Sequence, residues 1–233
     1  MNRYSVILNK NRREIVLLRG NGCKWLKCTF CDYHLDSSPD EEANFKLNKS
    51  VLANVTGEFG RLEIINSGSF TDLDEKTIRE ILRVALDKNI KTLHFECHWM
   101  HRDALDDFKR RFSLHGIEVK FKIGIETFDI EFRERVLKKG LDSASPAQIA
   151  AAGFSEANLL FGIDGQDAKS MRADIETALT YFERVCINIM TANSTGISPS
   201  EKVIREFTNN IYPIYADDPR VDILLENTDF GVG

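Results

Sequence analysis

The stretch RGNGCKWLKCTFCDYHLD, residues 19–36, carries three of the five cysteines in this chain of 233 residues. Cys23, Cys28 and Cys31 form a C-x4-C-x2-C pattern, and the loop that holds them directly follows a short apolar run, residues 14–18. A disulfide cannot use three thiols evenly, so the spacing favours a metal site. The apolar run predicts a buried strand, so the metal site is expected at the carboxyl end of that strand.

Outward from this loop, the chain alternates between predicted strands and helices without a linker. Strands are predicted at residues 14–18, 62–65, 91–96, 119–125, 158–163, 185–190 and 221–225. Helices are predicted near residues 48–55 and at 74–88, 102–114, 130–138, 146–152, 168–184 and 199–209. Six strand–helix units predict a parallel sheet with right-handed crossovers. Since a full eight-fold barrel takes about 250 residues, the sequence predicts an α/β fold, a partial (β/α)6 TIM-type barrel in a single domain.

The barrel is predicted to span residues 1–233, with residues 196–233 forming a C-terminal helix and strand that close the site. In barrels of this kind, chemistry takes place on the loops at the carboxyl ends of the strands. The cysteine loop holds that position after the first apolar strand. Further site residues are therefore expected on the loops after the later strands.

Composition limits the classes of partner. The chain is 42% hydrophobic and 29% charged, with a formal net charge of −5. Because the chain is acidic and has no run of basic residues, direct tRNA binding is not expected. The sequence has no apolar stretch long enough to span a membrane and no signal-peptide core at its start. These features predict a cytoplasmic protein, in which cysteines stay reduced and clustered thiols bind metal.

The residues alone leave two metal sites open. A structural zinc ion needs four ligands, and His34 could supply the fourth. A four-iron cluster held by three thiolates instead leaves one iron open to a substrate or cofactor. If the site binds zinc, the predicted protein is a zinc-stabilised, non-catalytic binding protein. A pure electron-transfer protein is a third possibility, although such carriers need a much shorter chain.

A three-cysteine loop after the first strand of a six-unit barrel resembles the radical S-adenosylmethionine superfamily. Phe30, the aromatic residue just before the last cysteine, also fits that family. The spacing departs from the usual pattern, because four residues rather than three separate the first two cysteines. The resemblance implies that Cys23, Cys28 and Cys31 hold a [4Fe-4S] cluster whose open iron binds S-adenosyl-L-methionine.

The same resemblance implies cofactor contacts on the later loops. The residues at these positions are Phe30 near the adenine, Ser67, Gly68 and Ser69 at the methionine amino group, Glu96 and Glu126 at the ribose, and Ile163 against the adenine. Ser69 stands where the family usually has an acidic residue. Five matches to the family, in the correct order after strands one to five, identify it more specifically than any single match does.

The resemblance also implies the chemistry. The cluster cleaves S-adenosylmethionine to a 5′-deoxyadenosyl radical, which abstracts hydrogen from a small modified nucleoside or nucleotide. Within the superfamily the chain resembles a group that acts on 7-deazapurines, and the predicted reaction cleaves queuosine 5′-phosphate to release queuine. An archaeosine-lyase-like enzyme or another tRNA-modification enzyme of the superfamily is the alternative. A flavodoxin- or ferredoxin-type electron donor is expected, and the predicted substrate contacts are His98, Asp164, Glu226 and Asp229.

Overall fold

The structure is a computed structural model that describes residues 2–225. Its eight strands are β1 Tyr4–Ile7, β2 Arg13–Leu18, β3 Arg61–Asn66, β4 Thr92–Glu96, β5 Glu118–Glu126, β6 Glu156–Phe161, β7 Arg184–Ile189 and β8 Val221–Leu224. The strand order follows the chain from β1 to β8. The contacts of the described residues divide into an N-terminal unit, residues 2–26 and 33–122, and a C-terminal unit, residues 27–32 and 123–225.

In the N-terminal unit, β2, β3, β4 and the first part of β5 pair in parallel. The helices of this unit are α1 Glu41–Leu52, α2 Glu75–Asp87 and α3 Leu105–Ser113, with a 3-10 helix at Trp99–Ala104 before α3. The prediction of a wholly parallel sheet is wrong at one edge, because β1 runs antiparallel to β2. The four residues of β1 are all half-buried, so they give no buried apolar run from which a strand could be predicted.

In the C-terminal unit, β6, β7 and β8 pair in parallel. The helices are α4 Pro146–Ala151, α5 Ala168–Tyr181, α6 Glu201–Asn210 and α7 Tyr212–Tyr215. Residues 130–138, predicted as an α-helix, instead form a short π-helix at Phe132–Val136. From β2 to β7 each strand is followed by at least one helix before the next strand, so the six predicted strand–helix units are present.

Several helices begin at residues whose side chains cap them. The Asp74 carboxylate accepts a hydrogen bond from the backbone N–H of Thr77, 2.8 Å away, and α2 begins directly after it, close to the prediction. Asp40 caps α1 in the same way, so this helix begins at Glu41 rather than near Asn48. A side-chain acceptor at this position satisfies one of the free N–H groups of the first turn.

An aromatic cluster forms part of the core of the N-terminal unit. Phe108 on α3 contacts Phe70, Phe95 and Phe112, with ring centroids 4.3, 5.0 and 5.1 Å away. Centroid distances in this range are typical of favourable offset or edge-to-face pairs. The cluster packs α3 against β4 and against the turn that follows β3.

Charged groups are buried at the amino ends of strands in the C-terminal unit. The Arg184 guanidinium, at the start of β7, donates to Glu156 at the start of β6 and to Asp222 on β8, at 2.8 and 2.9 Å. Buried charges of this kind are tolerated when they are paired and hydrogen-bonded. Charge pairs at this end of the strands serve stability, whereas the loops at the other end are available for chemistry. No helix within residues 2–225 is long and apolar enough to span a membrane.

Candidate functional site

The turn after β3 gathers three predicted cofactor contacts in the N-terminal unit. Ser67 and Ser69 are almost fully buried. The Ser67 hydroxyl donates to the backbone carbonyl of Asp36, 3.2 Å away. The Ser69 hydroxyl accepts from the backbone N–H of His98 at 2.9 Å. These bonds fix the serine side chains between the loops that follow β2 and β4.

Gly68 lies against the backbone of the first cysteine. A Cβ atom at this position would lie 3.0 Å from Cα and 3.1 Å from the backbone nitrogen of Cys23. It would also collide with the carboxylate of Asp72. Only glycine lets the turn after β3 and the cysteine loop approach so closely.

Asp72 is a buried residue of this turn that the sequence reasoning missed. Its Oδ2 atom accepts from the backbone N–H of Ser69 at 2.7 Å, while Oδ1 is buried and has no hydrogen-bond partner among residues 2–225. Burial raises the pKa of the Asp72 carboxyl, and the bond from Ser69 partly offsets the rise. The sequence does carry a signal for it, because a serine followed three residues later by an acid is a helix-start pattern.

His98, a predicted substrate contact, lies beside the cysteine loop. Its ring stacks on Trp25, with centroids 5.2 Å apart and an angle of 22° between the planes. The Nδ1 atom of His98 accepts from the backbone N–H of Met100 at 3.2 Å. Both rings are half-buried, so the pair forms an aromatic surface within the N-terminal unit.

The segment that carries Cys28 and Cys31 packs in the C-terminal unit. Thr29 anchors it, because its backbone N–H donates to Leu137 at 3.1 Å and its hydroxyl donates to the carbonyl of Val136 at 2.6 Å. Both acceptors are backbone oxygens at the end of the π-helix. Two bonds at one residue hold the segment against residues 136–137.

Phe30 and Ile163, both predicted to lie near the adenine, share one apolar cluster in this unit. Phe30 packs against buried residues that include Leu137 and Ile163. Its carbonyl accepts from the Asn193 side chain at 2.7 Å. The backbone N–H of Ile163 already donates to the Gln166 side chain at 3.0 Å, so Ile163 offers mainly an apolar surface.

Glu126, predicted at the ribose, ends β5 in an unusual conformation. Its φ angle is +69°, a left-handed region that non-glycine residues rarely adopt. The carboxylate accepts from the Lys139 ammonium at 2.7 Å, and both side chains are largely buried. Backbone strain of this kind persists only where the surrounding structure holds it in place.

Lys139 brings a positive charge to the cysteine segment, a role that the sequence reasoning did not assign. Burial by itself lowers the pKa of its ammonium, but attraction to Glu126 and to two cysteine thiols outweighs burial and raises it. Those thiols belong to Cys28 and Cys31. The ammonium also lies 5.6 Å from the centroid of the Phe30 ring.

The remaining predicted residues are Glu96, Asp164, Glu226 and Asp229. Glu96 is half-buried at the end of β4, and Asp164 is exposed after β6. Glu226 and Asp229 lie outside the described residues. Cys97 is buried next to His98, and burial raises the pKa of its thiol, which favours the uncharged form.

The three loop cysteines suit an iron–sulfur cluster by the chemistry of their donors. Cys23, Cys28 and Cys31 form no disulfide and are half-buried, so their thiols are in the reduced state that binds metal. Thiolates are the usual protein ligands of such clusters. Within residues 2–225, no three His, Cys, Asp or Glu side chains converge as the ligands of a single metal ion would.

Comparisons with known proteins extend this result. No family model matches the chain. A solved structure of a queuine lyase from Clostridium spiroforme, bound to SAM and queuine, is 40% identical and superposes with a TM-score of 0.93. The match covers 100% of this chain and 99% of that one. This likeness confirms the predicted α/β class and partial barrel.

Weaker similarities were also found, among them the following two. The uncharacterized protein MJ0550 of Methanocaldococcus jannaschii is 26% identical in an alignment of 144 residues. The match covers 54% of this chain and 38% of that protein, so it spans well under half of that relative. Streptococcus suis SuiB, in a structure bound to S-adenosylmethionine, is 11% identical with a TM-score of 0.54. The match covers 90% of this chain and 49% of SuiB, and it supports the fold alone.

The resemblance drawn from the cysteine loop is therefore confirmed by a relative matched along almost its entire length. At 40% identity over that length, this chain belongs to the radical S-adenosylmethionine superfamily, in the family of the queuine lyase.

Proposed function

We propose that this protein is a radical S-adenosylmethionine lyase that releases queuine from a small queuosine-containing nucleoside or nucleotide. The observation that carries the proposal is the 40% identity, over the whole chain, to a queuine lyase bound to SAM and queuine. Queuosine 5′-phosphate is the predicted substrate. The proposed cofactors are one [4Fe-4S] cluster and S-adenosylmethionine.

Cys23, Cys28 and Cys31 are the residues that would hold the cluster. When bound, the cluster supplies the electron that cleaves S-adenosylmethionine to a radical able to take hydrogen from the substrate. The chain itself binds and orients these molecules. Gly68 leaves space beside Cys23, and Thr29 fixes the segment that carries the other two cysteines.

The cofactor contacts proposed from the resemblance fit the chemistry of their surroundings. Ser69 is held by the backbone N–H of His98, so its hydroxyl has a fixed position. Phe30 and Ile163 offer apolar surface that would exclude water from the adenine. Glu96 and Glu126 remain the proposed acceptors for the ribose hydroxyls.

The proposed partners follow from the same reaction. An electron donor of the flavodoxin or ferredoxin type is expected to reduce the cluster. The acidic net charge of −5 supports a small-molecule substrate rather than direct binding of tRNA. His98 stays the proposed substrate contact among the described residues, since its ring and that of Trp25 offer a stacking surface to a flat base.

Anaerobic turnover tests the proposal. Reconstituted protein is incubated with S-adenosylmethionine, dithionite and either queuosine 5′-phosphate, queuosine or guanosine 5′-monophosphate, and products are measured by mass spectrometry. Queuosine 5′-phosphate is expected to give both 5′-deoxyadenosine and queuine, and guanosine 5′-monophosphate neither. Cys28→Ala is expected to abolish both products, whereas the matched variant Cys186→Ala, at a buried cysteine on β7, retains them.

Each contrary result has a definite meaning. Formation of 5′-deoxyadenosine without queuine from either queuosine compound would contradict the proposed substrate. Turnover by Cys28→Ala would contradict the assignment of the cluster ligands. Colourless protein that contains one zinc ion and no iron would favour the zinc-stabilised binding protein instead.

A further inference from the structure

The buried ion pair of Glu126 and Lys139 lies beside the cysteine segment of the C-terminal unit. The ammonium of Lys139 is 2.7 Å from the Glu126 carboxylate and 5.6 Å from the centroid of the Phe30 ring. Phe30 lies between Cys28 and Cys31 in the sequence. Only 13% of the Lys139 side chain and 8% of the Glu126 side chain are exposed, so water screens this charge weakly.

The position of this cation is fixed from both sides. The backbone N–H of Lys139 donates to the carbonyl of Arg133 at 3.1 Å. Thr29 donates to the carbonyls of Val136 and Leu137, which ties residues 28–31 to the chain just before the lysine. The backbone of Lys139 and the cysteine segment are therefore both attached to residues 133–137.

Two further features of the backbone accommodate the ion pair. A Cβ atom on Gly124 would lie 2.6 Å from the Lys139 nitrogen and would collide with the Glu126 carboxylate. Glu126 itself adopts a φ of +69°, which costs about 1 kcal/mol or more for a residue with a side chain. An apolar pair of similar volume would fill this space without desolvating two charges. Packing alone thus gives no reason for charged residues here.

We propose that Lys139 is a positioning residue for charge, whose fixed ammonium raises the reduction potential of the cluster held by Cys28 and Cys31, with Glu126 limiting the rise. This inference rests on the proposed function, since it assumes that cluster. A reduced cluster carries one more negative charge than an oxidised one, so a nearby cation stabilises the reduced form. A nearby carboxylate has the opposite effect.

The test is the midpoint potential of the reconstituted cluster, measured without S-adenosylmethionine by a redox titration followed by electron paramagnetic resonance. Lys139→Met is expected to shift the potential to a more negative value. Lys139→Arg, which keeps the charge, is expected to stay close to the wild type. Lys202→Met removes the same charge from an exposed site on α6 and is expected to leave the potential unchanged.

A second variant is expected to shift the midpoint potential in the opposite direction. Glu126→Gln leaves the ammonium without its counter-charge and is expected to shift the potential to a more positive value, with the double variant between the two single ones. A purely structural role for the pair would not produce shifts of opposite direction. If Lys139→Met fails to assemble a cluster, the shift in Glu126→Gln decides the question.

The possible failures are distinguishable. Wild-type protein that assembles no four-iron cluster would overturn the proposed function. A wild-type cluster with normal turnover, combined with unshifted potentials in Lys139→Met or in Glu126→Gln, would overturn only the inference about Lys139.

Discussion

Gly68 shows how much a single residue determines at this site. The turn after β3 lies close to the cysteine loop at this residue, because a Cβ on Gly68 would be only 3.0 and 3.1 Å from backbone atoms of Cys23. Flexible side chains can move away from an added methyl group, but backbone atoms cannot do so without shifting the chain. The glycine is needed here for space, because a Cβ would overlap both chain segments.

Gly68→Ala should therefore displace Cys23. Overpacking of this kind costs about 1–3 kcal/mol, and we expect stability to fall by that amount together with the iron retained per chain after reconstitution. Iron analysis and urea unfolding measure the two effects. Gly196→Ala is the matched control, because nothing lies within 4 Å of its added Cβ. An alanine variant at position 68 that retains full iron would contradict the close approach.

The cysteines and Phe30 could be proposed as site residues from the sequence because they lie in one short stretch, and their roles stay predictions. Lys139 could not be assigned in the same way. Lys139 lies near the cysteine segment because Thr29 bonds to Val136 and Leu137, which are 107 and 108 positions further along the chain. Periodicity and spacing carry no information about such a contact, since it depends on how the π-helix ends.

Among the elements, α1 holds the start of the cysteine loop in place. Asn44 and Asn48, fully buried and one turn apart, both bind Arg19, the residue that follows β2. The Asn48 side chain accepts from the backbone N–H of Arg19 at 2.8 Å and donates to its carbonyl at 2.9 Å. A single amide thus satisfies both backbone groups at the point where the strand ends.

Asn48→Ala should leave both of these backbone groups without partners. Unsatisfied buried groups cost about 1–3 kcal/mol, so we expect the free energy of unfolding to fall by about that amount. Urea unfolding followed by circular dichroism measures it. Lys46→Ala, on the exposed face of the same helix, should change stability by less than about 0.5 kcal/mol. Equal losses in the two variants would contradict the anchoring role.

Element prediction succeeded where the buried face repeats regularly. The apolar periodicity of α2 and its cap at Asp74 gave both ends of that helix to within a residue. The start of α1 was missed because its first turn is polar, and the cap at Asp40 was overlooked. The π-helix Phe132–Val136 has the apolar spacing of an α-helix in sequence, so its wider turn was not predictable from spacing.

For the whole molecule, the α/β barrel class could be predicted because it depends only on the count and order of strand–helix units. The division of the cysteine loop was not predictable: residues 27–32 pack with the C-terminal unit, while residues on either side of them pack with the N-terminal unit. That division depends on contacts between distant parts of the chain. The closing role of residues 196–233 stays a prediction, since the structure describes that segment only as far as residue 225.

Stability of the molecule should also depend on pH through Asp174 on α5. This carboxylate accepts from the backbone N–H of Phe128 at 2.7 Å, in the loop after Glu126. Burial raises its pKa from 3.8 to about 6, and the bond from Phe128 limits the rise. The folded state therefore binds the proton of the Asp174 carboxyl more tightly than the unfolded state does. The contribution of this carboxyl to the free energy of unfolding is lost as pH rises from about 4 through about 6.

Asp174→Asn should remove that pH dependence. The free energy of unfolding of the variant, relative to that of the wild type, should be higher at pH 8 than at pH 4 by up to about 3 kcal/mol. This amount corresponds to the rise of about two units in the pKa of Asp174. Urea unfolding at both pH values measures the change. Asp164→Asn, at an exposed carboxylate, should show no such difference between the two pH values. A gain at pH 8 no larger than at pH 4 would contradict the raised pKa of Asp174.

The anchor at Thr29 has a consequence for how related sequences diverge. Its hydroxyl and its amide reach backbone oxygens, so the exposed side chain of Val136 takes no part in either bond. Substitutions at position 136 can accumulate without weakening the attachment of the cysteine segment. Methods that infer contacts from correlated substitutions across an alignment would therefore find no signal between positions 29 and 136, although the two residues are directly bonded.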